Sequence, residues 1–217
     1  MPDAELRADL DVQFADLRHQ REVATLGIWL FLATEVLFFG GMLASYMVYR
    51  VTYPDGFAEA GRHTKIVIGT INTAVLLTSS LCMALAVRAA KLGRRRAIVL
   101  WLGLTAFLGL VFMGLKGLEY SEEWTEHLVP ALNFAFPGEH RGPAELFYLL
   151  YFIMTGIHAL HLTIGIAVVL VVASLAWRGW FRPEWHTPVE VTGLYWHFVD
   201  IVWVFLYPLI YLLGRSG

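Results

Sequence analysis

The sequence predicts an all-α integral membrane protein: a bundle of five transmembrane helices with a short amphipathic N-terminal segment. Three observations carry this prediction. Hydrophobic residues make up 58% of the 217 and charged residues only 16%, against about a quarter charged in ordinary soluble domains. The charges gather in short strips between long apolar runs. Five of those runs reach the roughly 20 residues that a helix needs to cross hydrocarbon.

Residues 1–22 form the first unit. They lack the basic start and apolar stretch of a signal peptide. Leu6, Leu10, Phe14 and Leu17 recur at helical spacing over residues 3–20, with acids between them. An acidic polar face matches an anionic leaflet poorly, so docking on a partner protein is expected. Residues 23–217 form the membrane domain, with spans at about 24–49, 66–90, 97–118, 145–177 and 190–213. With no water at the bilayer core, each span must satisfy its own backbone as a helix. The fourth is long enough to tilt or to extend beyond the membrane. Gly27, Gly40, Gly41, Gly109, Gly156 and Gly165 suit close helix approach. The single cysteine, Cys82, sits in an apolar run, where a thiol behaves as a small hydrophobe.

Lysine and arginine set the orientation. Arg88, Lys91, Arg94, Arg95 and Arg96 crowd the connection between spans two and three, which is therefore expected in the cytoplasm. The N-terminus, with Arg7, Arg18 and Arg21, then lies inside, as does the fourth connection with Arg178 and Arg182. The acidic loop at 119–144 and the C-terminus are expected outside. The net charge of -2 gives no reason to expect a nucleic-acid partner.

Ionisable groups inside spans cost about 2.5–3.5 kcal/mol each on insertion scales and usually face a partner or a cavity. Glu35 lies near the middle of span one. Two readings stand: a neutral acid hydrogen-bonded between helices, or a group that gates protons or anchors a lipid or partner helix. His158 and His161 share one face of span four. A His-x-x-His pair without cysteine is a weak metal signal, and hydrogen bonding across helices is the commoner use. His197 and Asp200 repeat the spacing in span five, where a carboxylate beside an imidazole stabilises an ionised pair. Lys116 either snorkels to the headgroups or pairs with Glu119 or Tyr120 at helical spacing. Asn72 and Thr73 are expected to hydrogen-bond between helices. A glycine-rich phosphate loop, a nucleophile elbow and a His-Glu-x-x-His motif are all missing.

Three strings together resemble subunit III of cytochrome c oxidase and its relatives. They are Trp29 through Phe39, Thr155-Gly156-Ile157-His158-Ala159-Leu160-His161 followed by Gly165, and Tyr195-Trp196-His197-Phe198-Val199-Asp200-Ile201-Val202-Trp203. Glu119-Tyr120 is a weaker fourth. The resemblance runs from about residue 24 to 213. It implies a non-catalytic helical subunit of a respiratory haem–copper terminal oxidase in the bacterial plasma membrane. Such a subunit packs on subunit I, in a complex that includes subunit II. Haem and copper are expected in those partners, with no redox centre, metal or cofactor on this chain. The resemblance also implies bound phospholipids, support of proton uptake and lasting activity during turnover. Glu35, His158, His161, His197 and Asp200 match motif positions, with structural or lipid-related roles implied.

The chain departs from the mitochondrial pattern by lacking its first two helices, between which and the other five the lipid cleft lies. Lys116 stands where an uncharged polar residue is expected. Cytochrome c oxidase, quinol oxidase and a nitric oxide reductase accessory protein all share these helices. The cytochrome c type is preferred. A membrane haem b carrier and a proton channel are the alternatives of another class.

Overall fold

The protein is described by a computed structural model covering residues 17–181 and 185–213, with side chains from residue 22 onward. The amphipathic reading of residues 3–20 lies outside the described residues, apart from the helical backbone from Leu17. Six α-helices follow in order: α1 Leu17–Thr52, α2 Pro54–His63, α3 Ile66–Lys91, α4 Arg95–Thr125, α5 Arg141–Arg178 and α6 Thr187–Tyr207. A π-helical turn, Pro208–Leu212, continues α6. All except α2 are long and apolar enough to cross a membrane, α6 together with its π turn.

Helices α3 to α6 close into a four-helix body. In it α3 packs on α4 and α6, and α5 packs on α4 and α6. The tight turn between α3 and α4 rests on Gly93, whose φ of 64° favours a residue without Cβ. Close packing between α4, α5 and α6 depends on small residues: a Cβ at Gly109 would stand 2.9 Å from Trp196 and 3.0 Å from Ile166. Indole groups then tie the seams, with Trp196 Nε1 donating to Ser79 Oγ at 3.1 Å and Trp203 Nε1 to Thr73 Oγ1 at 3.1 Å. Thr73 thus bonds between helices as expected.

Helix α1 lies outside that ring, mainly along α6. Leu26, Leu30 and Leu37 are 70%, 68% and 77% exposed. Nothing lies within 4 Å of a Cβ built at Gly27, Gly40 or Gly41, so these three glycines do not serve helix approach within the chain. Gly109 and Gly165 do, while Gly156 meets only Tyr120 Oη at 4.0 Å.

Two elements escape the pattern read from the sequence. The short α2 carries charges on one side and buries Phe57 and Ala60 on the other. Phe57 meets Tyr46 and Phe147 edge-on. The loop between α4 and α5 is also shorter than 119–144, because α4 stays helical to Thr125 and α5 begins at Arg141.

Candidate functional site

The polar groups inside the helices fall into three arrangements. The first joins α1 to α5. His161 Nε2 lies 3.1 Å from Glu35 Oε2, and both side chains are largely buried. His161 Nδ1 lies 2.9 Å from the Ile157 carbonyl oxygen. A carbonyl only accepts, so Nδ1 carries the hydrogen. One proton then remains between Nε2 and Oε2, whether the pair is written as acid and imidazole or as carboxylate and imidazolium. Either way the pair is net neutral, which is how an acid and an imidazole lodge together among apolar helices. Phe39 sits edge-on to the imidazole at 5.2 Å, and Tyr195 donates to the His161 carbonyl at 3.0 Å.

The second arrangement lies near the end of α4 and is buried. Lys116 Nζ donates to Glu119 Oε2 at 2.9 Å, to Tyr151 Oη at 2.8 Å and to Tyr211 Oη at 2.7 Å. All three ammonium hydrogens are thereby used. Glu119 Oε1 accepts from Tyr211 at 2.6 Å and Tyr151 at 3.1 Å. The ammonium also stands 4.6 Å from the centre of the Tyr151 ring, a cation–π distance. Snorkelling is thus overturned: Lys116 is 2% exposed because its partners lie inward, on α5 and the π turn. The pairing with Glu119 holds. Pro208 has no N–H to continue the α-helical ladder, and the π turn that begins there carries Tyr211 into this cage. Glu123, also buried, stands one turn beyond Glu119 on the same face, with Oε2 unpartnered among the described residues. Sequence reasoning placed Glu123 in the acidic loop at 119–144; the 116-119-123 spacing was the signal for it. Tyr151 and Tyr211 gave none.

The third arrangement follows the α3–α6 seam. Here His197 and Asp200 do not pair. His197 Nδ1 lies 2.7 Å from Ser80 Oγ on α3, so the imidazole turns to another helix. Both Asp200 oxygens are buried without a hydrogen-bond partner among the described residues. His158 is also buried, with neither nitrogen partnered among the described residues, between Phe112 at 5.7 Å and Trp203 at 5.2 Å. Asn72, expected to bond between helices, is buried without a partner among the described residues. His158 and His161 address different neighbours, and among the described residues no three His, Cys, Asp or Glu side chains converge as a metal site would require.

Two hollows flank α6 on the α1 side. One is an apolar groove of about 420 Å³ between α1 and α6, lined by Trp29, Val36, Phe39, Ile201 and Phe205 among others. The other, about 360 Å³, lies toward the end of α3 and the start of α6 and reaches Thr25, Lys91, Thr187, Glu190 and His197.

Comparison with known proteins gives these features a context. Residues 16–215 match the family model described as cytochrome c oxidase subunit III. Cytochrome c oxidase subunit 3 of Thermostichus vulcanus is 33% identical, covering 88% of this chain and 87% of that protein. The cytochrome bo(3) ubiquinol oxidase subunit 3 of Pseudomonas aeruginosa is 30% identical over 87% of this chain and 84% of its own length. Quinol oxidase subunit 3 of Bacillus spizizenii is 28% identical over 94% and 95%. The match spans all five membrane helices and takes in the Glu35, His161 and Asp200 positions, so the chain belongs to the cytochrome c oxidase subunit III family of membrane-spanning haem–copper oxidase subunits.

Proposed function

We propose that this chain is the non-catalytic subunit III of a cytochrome c-type terminal oxidase in a bacterial plasma membrane. It packs on subunit I, which with subunit II carries the haem and copper, and it supports proton uptake and lasting turnover. The observation that carries this reading is the pairing of polar groups inside the chain. Glu35 with His161, and Lys116 with Glu119 and two tyrosines, link helices to one another. Linked in that way, they act as struts.

The basic strip at Arg94 to Arg96 favours the cytoplasm for the α3–α4 turn. Five crossings then put the N-terminus inside and the C-terminus outside. The apolar α1–α6 groove supports phospholipid binding, because its lining suits an acyl chain and its volume falls within the range of small-ligand sites.

The test is the complex with and without this chain. The complex lacking it is expected to keep its haem spectrum and initial rate but to lose activity faster during turnover. An unchanged turnover lifetime, or a Soret band in the purified chain alone, contradicts the proposal.

A further inference from the structure

The orientation of the chain accounts for the strip at Arg94 to Arg96, but not for a third hollow that two of its members line. That hollow lies between the start of α4 and the end of α5. Its volume is about 520 Å³, and Arg95, Arg96, Val99, Leu100 and Trp177 line it. It shares no lining residue with the two hollows beside α6.

One end of this hollow is cationic. Arg95 Nε donates to the Ala176 carbonyl of α5 at 3.1 Å, which fixes the guanidinium against the end of that helix. Gly179, with φ of 85°, leaves it room, since a Cβ there would stand 3.3 Å from Arg95 Nη1. Among the described residues no carboxylate pairs with Arg95 or Arg96. The sequence has no Asp or Glu in residues 60–118 or 146–183, which hold both walls. No side chain caps the start of α4, so the N–H groups of its first turn add to the positive end.

The other end is apolar. Leu100 and Trp177 are 64% and 70% exposed, and both belong to helices long and apolar enough to cross a membrane. Leu100 stands five residues along α4 from Arg95, about 7.5 Å inward along a helix. Guanidiniums at the edge of a span, with an apolar wall running into it, fit a molecule with an anionic head and a hydrocarbon tail. A free phosphate would leave the wall unused. A zwitterionic lipid would bring its own cation to a place that offers no acid.

We propose that this α4–α5 hollow binds an anionic phospholipid. Its phosphate lies on the Arg95 and Arg96 guanidiniums, whose planar forks match phosphate oxygens, and one acyl chain follows Val99, Leu100 and Trp177. Basic pockets between membrane helices hold anionic head groups in this way. The site differs in selectivity from the α1–α6 groove, which has no lysine or arginine in its lining. It rests on the membrane placement of α4 and α5, whether or not the supporting role in turnover holds.

The experiment uses the whole complex, purified through a tag on this chain and placed in phosphatidylcholine nanodiscs. A small share of either phosphatidylglycerol or phosphatidylcholine carrying a photoactivatable acyl chain is added, and cross-links are mapped by mass spectrometry. The phosphatidylglycerol probe is expected to label Leu100 and Trp177 strongly and the phosphatidylcholine probe weakly, a comparison that needs no variant. Arg96→Gln should lower the phosphatidylglycerol labelling about fivefold, the effect of one arginine near a lipid surface. Arg95→Gln added to it should lower it further. Labelling of Trp29 and Phe205 in the α1–α6 groove should stay as in wild type, which shows that the variants are folded. The proposal is overturned if neither probe labels Leu100 or Trp177, if the two probes label them equally, if Arg96→Gln is labelled as wild type, or if inorganic phosphate displaces the probe.

Discussion

Helix α1 and the α3–α6 body are built from similar apolar residues but are held in different ways. In the body, a Cβ added at Gly109, or at Gly193 beside Val87, would come within 3.0 Å of a neighbour, and the seams carry indole and lysine hydrogen bonds. In α1 the glycines meet nothing. That helix is tied near one end by Tyr46 to the Leu209 carbonyl and Arg50 to the Leu213 carbonyl, and at mid-span by Glu35 to His161. Leu26, Trp29 and Leu30 stand largely open, while Ile28 between them packs on the core. Glycine in a membrane helix therefore marks an approach only where a second helix arrives. The same residue types leave α1 holding a groove open instead of closing a seam.

The contrast can be broken or sharpened by substitution. The largest effect is expected in the body. Lys116→Met strands Glu119 as a buried charge without its cation, a loss of about 3–5 kcal/mol, measured by unfolding in mixed micelles. Adding Glu119→Gln should recover most of it. Next comes a matched pair. Gly109→Val should cost about 1–3 kcal/mol by overpacking against Trp196 and Ile166. Gly40→Val on α1 should leave the chain's own stability within about 0.5 kcal/mol. Equal losses at the two positions would mean that α1 is packed as the body is.

Glu35→Leu leaves His161 Nε2 without its partner, at about 1–3 kcal/mol. The loss should fall on α1, read as faster amide exchange there with α3–α6 unchanged. Glu35→Gln, whose amide can still donate to Nε2, should cost less.

The smallest effect is at the half-exposed Lys65, between α2 and α3. Its hydrogen bond to Glu126 at 2.7 Å, with help from the charges of Glu126 and Glu122, holds the ammonium above its ordinary value of 10.5. Lys65→Ala should cost roughly 0.2–1 kcal/mol, the range of exposed pairs. A raised lysine stabilises fully below its unfolded pKa and ceases to as pH rises through the folded one. The difference between wild type and variant should therefore be flat around neutrality and shrink only in strong alkali.

The spans were legible because twenty apolar residues in water-free surroundings have one solution, a helix. What escaped notice has local causes. Residues 50–65 fell between the first two apolar runs and were given no helix, although Phe57 and Ala60 lie on one face of α2. Glu119, Glu122, Glu123 and Glu126 read as part of a loop, whereas Lys116 pairs with Glu119 and Lys65, from the α2–α3 connection, pairs with Glu122 and Glu126. The i, i+3 spacing placed His197 and Asp200 side by side, yet spacing says nothing about the Ser80 that faces the imidazole from α3. His161 was legible as a residue type but not as the partner of Glu35, 126 positions away.

The most direct test of α1 as a helix held at mid-span by one shared proton is a distance distribution by pulsed electron resonance in the assembled oxidase. Spin labels at Leu26 on α1 and Leu81 on α3 report α1 against the body, and labels at Leu81 and Leu170 report the body alone, all in a Cys82→Ser background. Glu35→Leu should broaden the first distribution and leave the second as it was. An unchanged Leu26–Leu81 distribution would contradict that role for the Glu35–His161 pair.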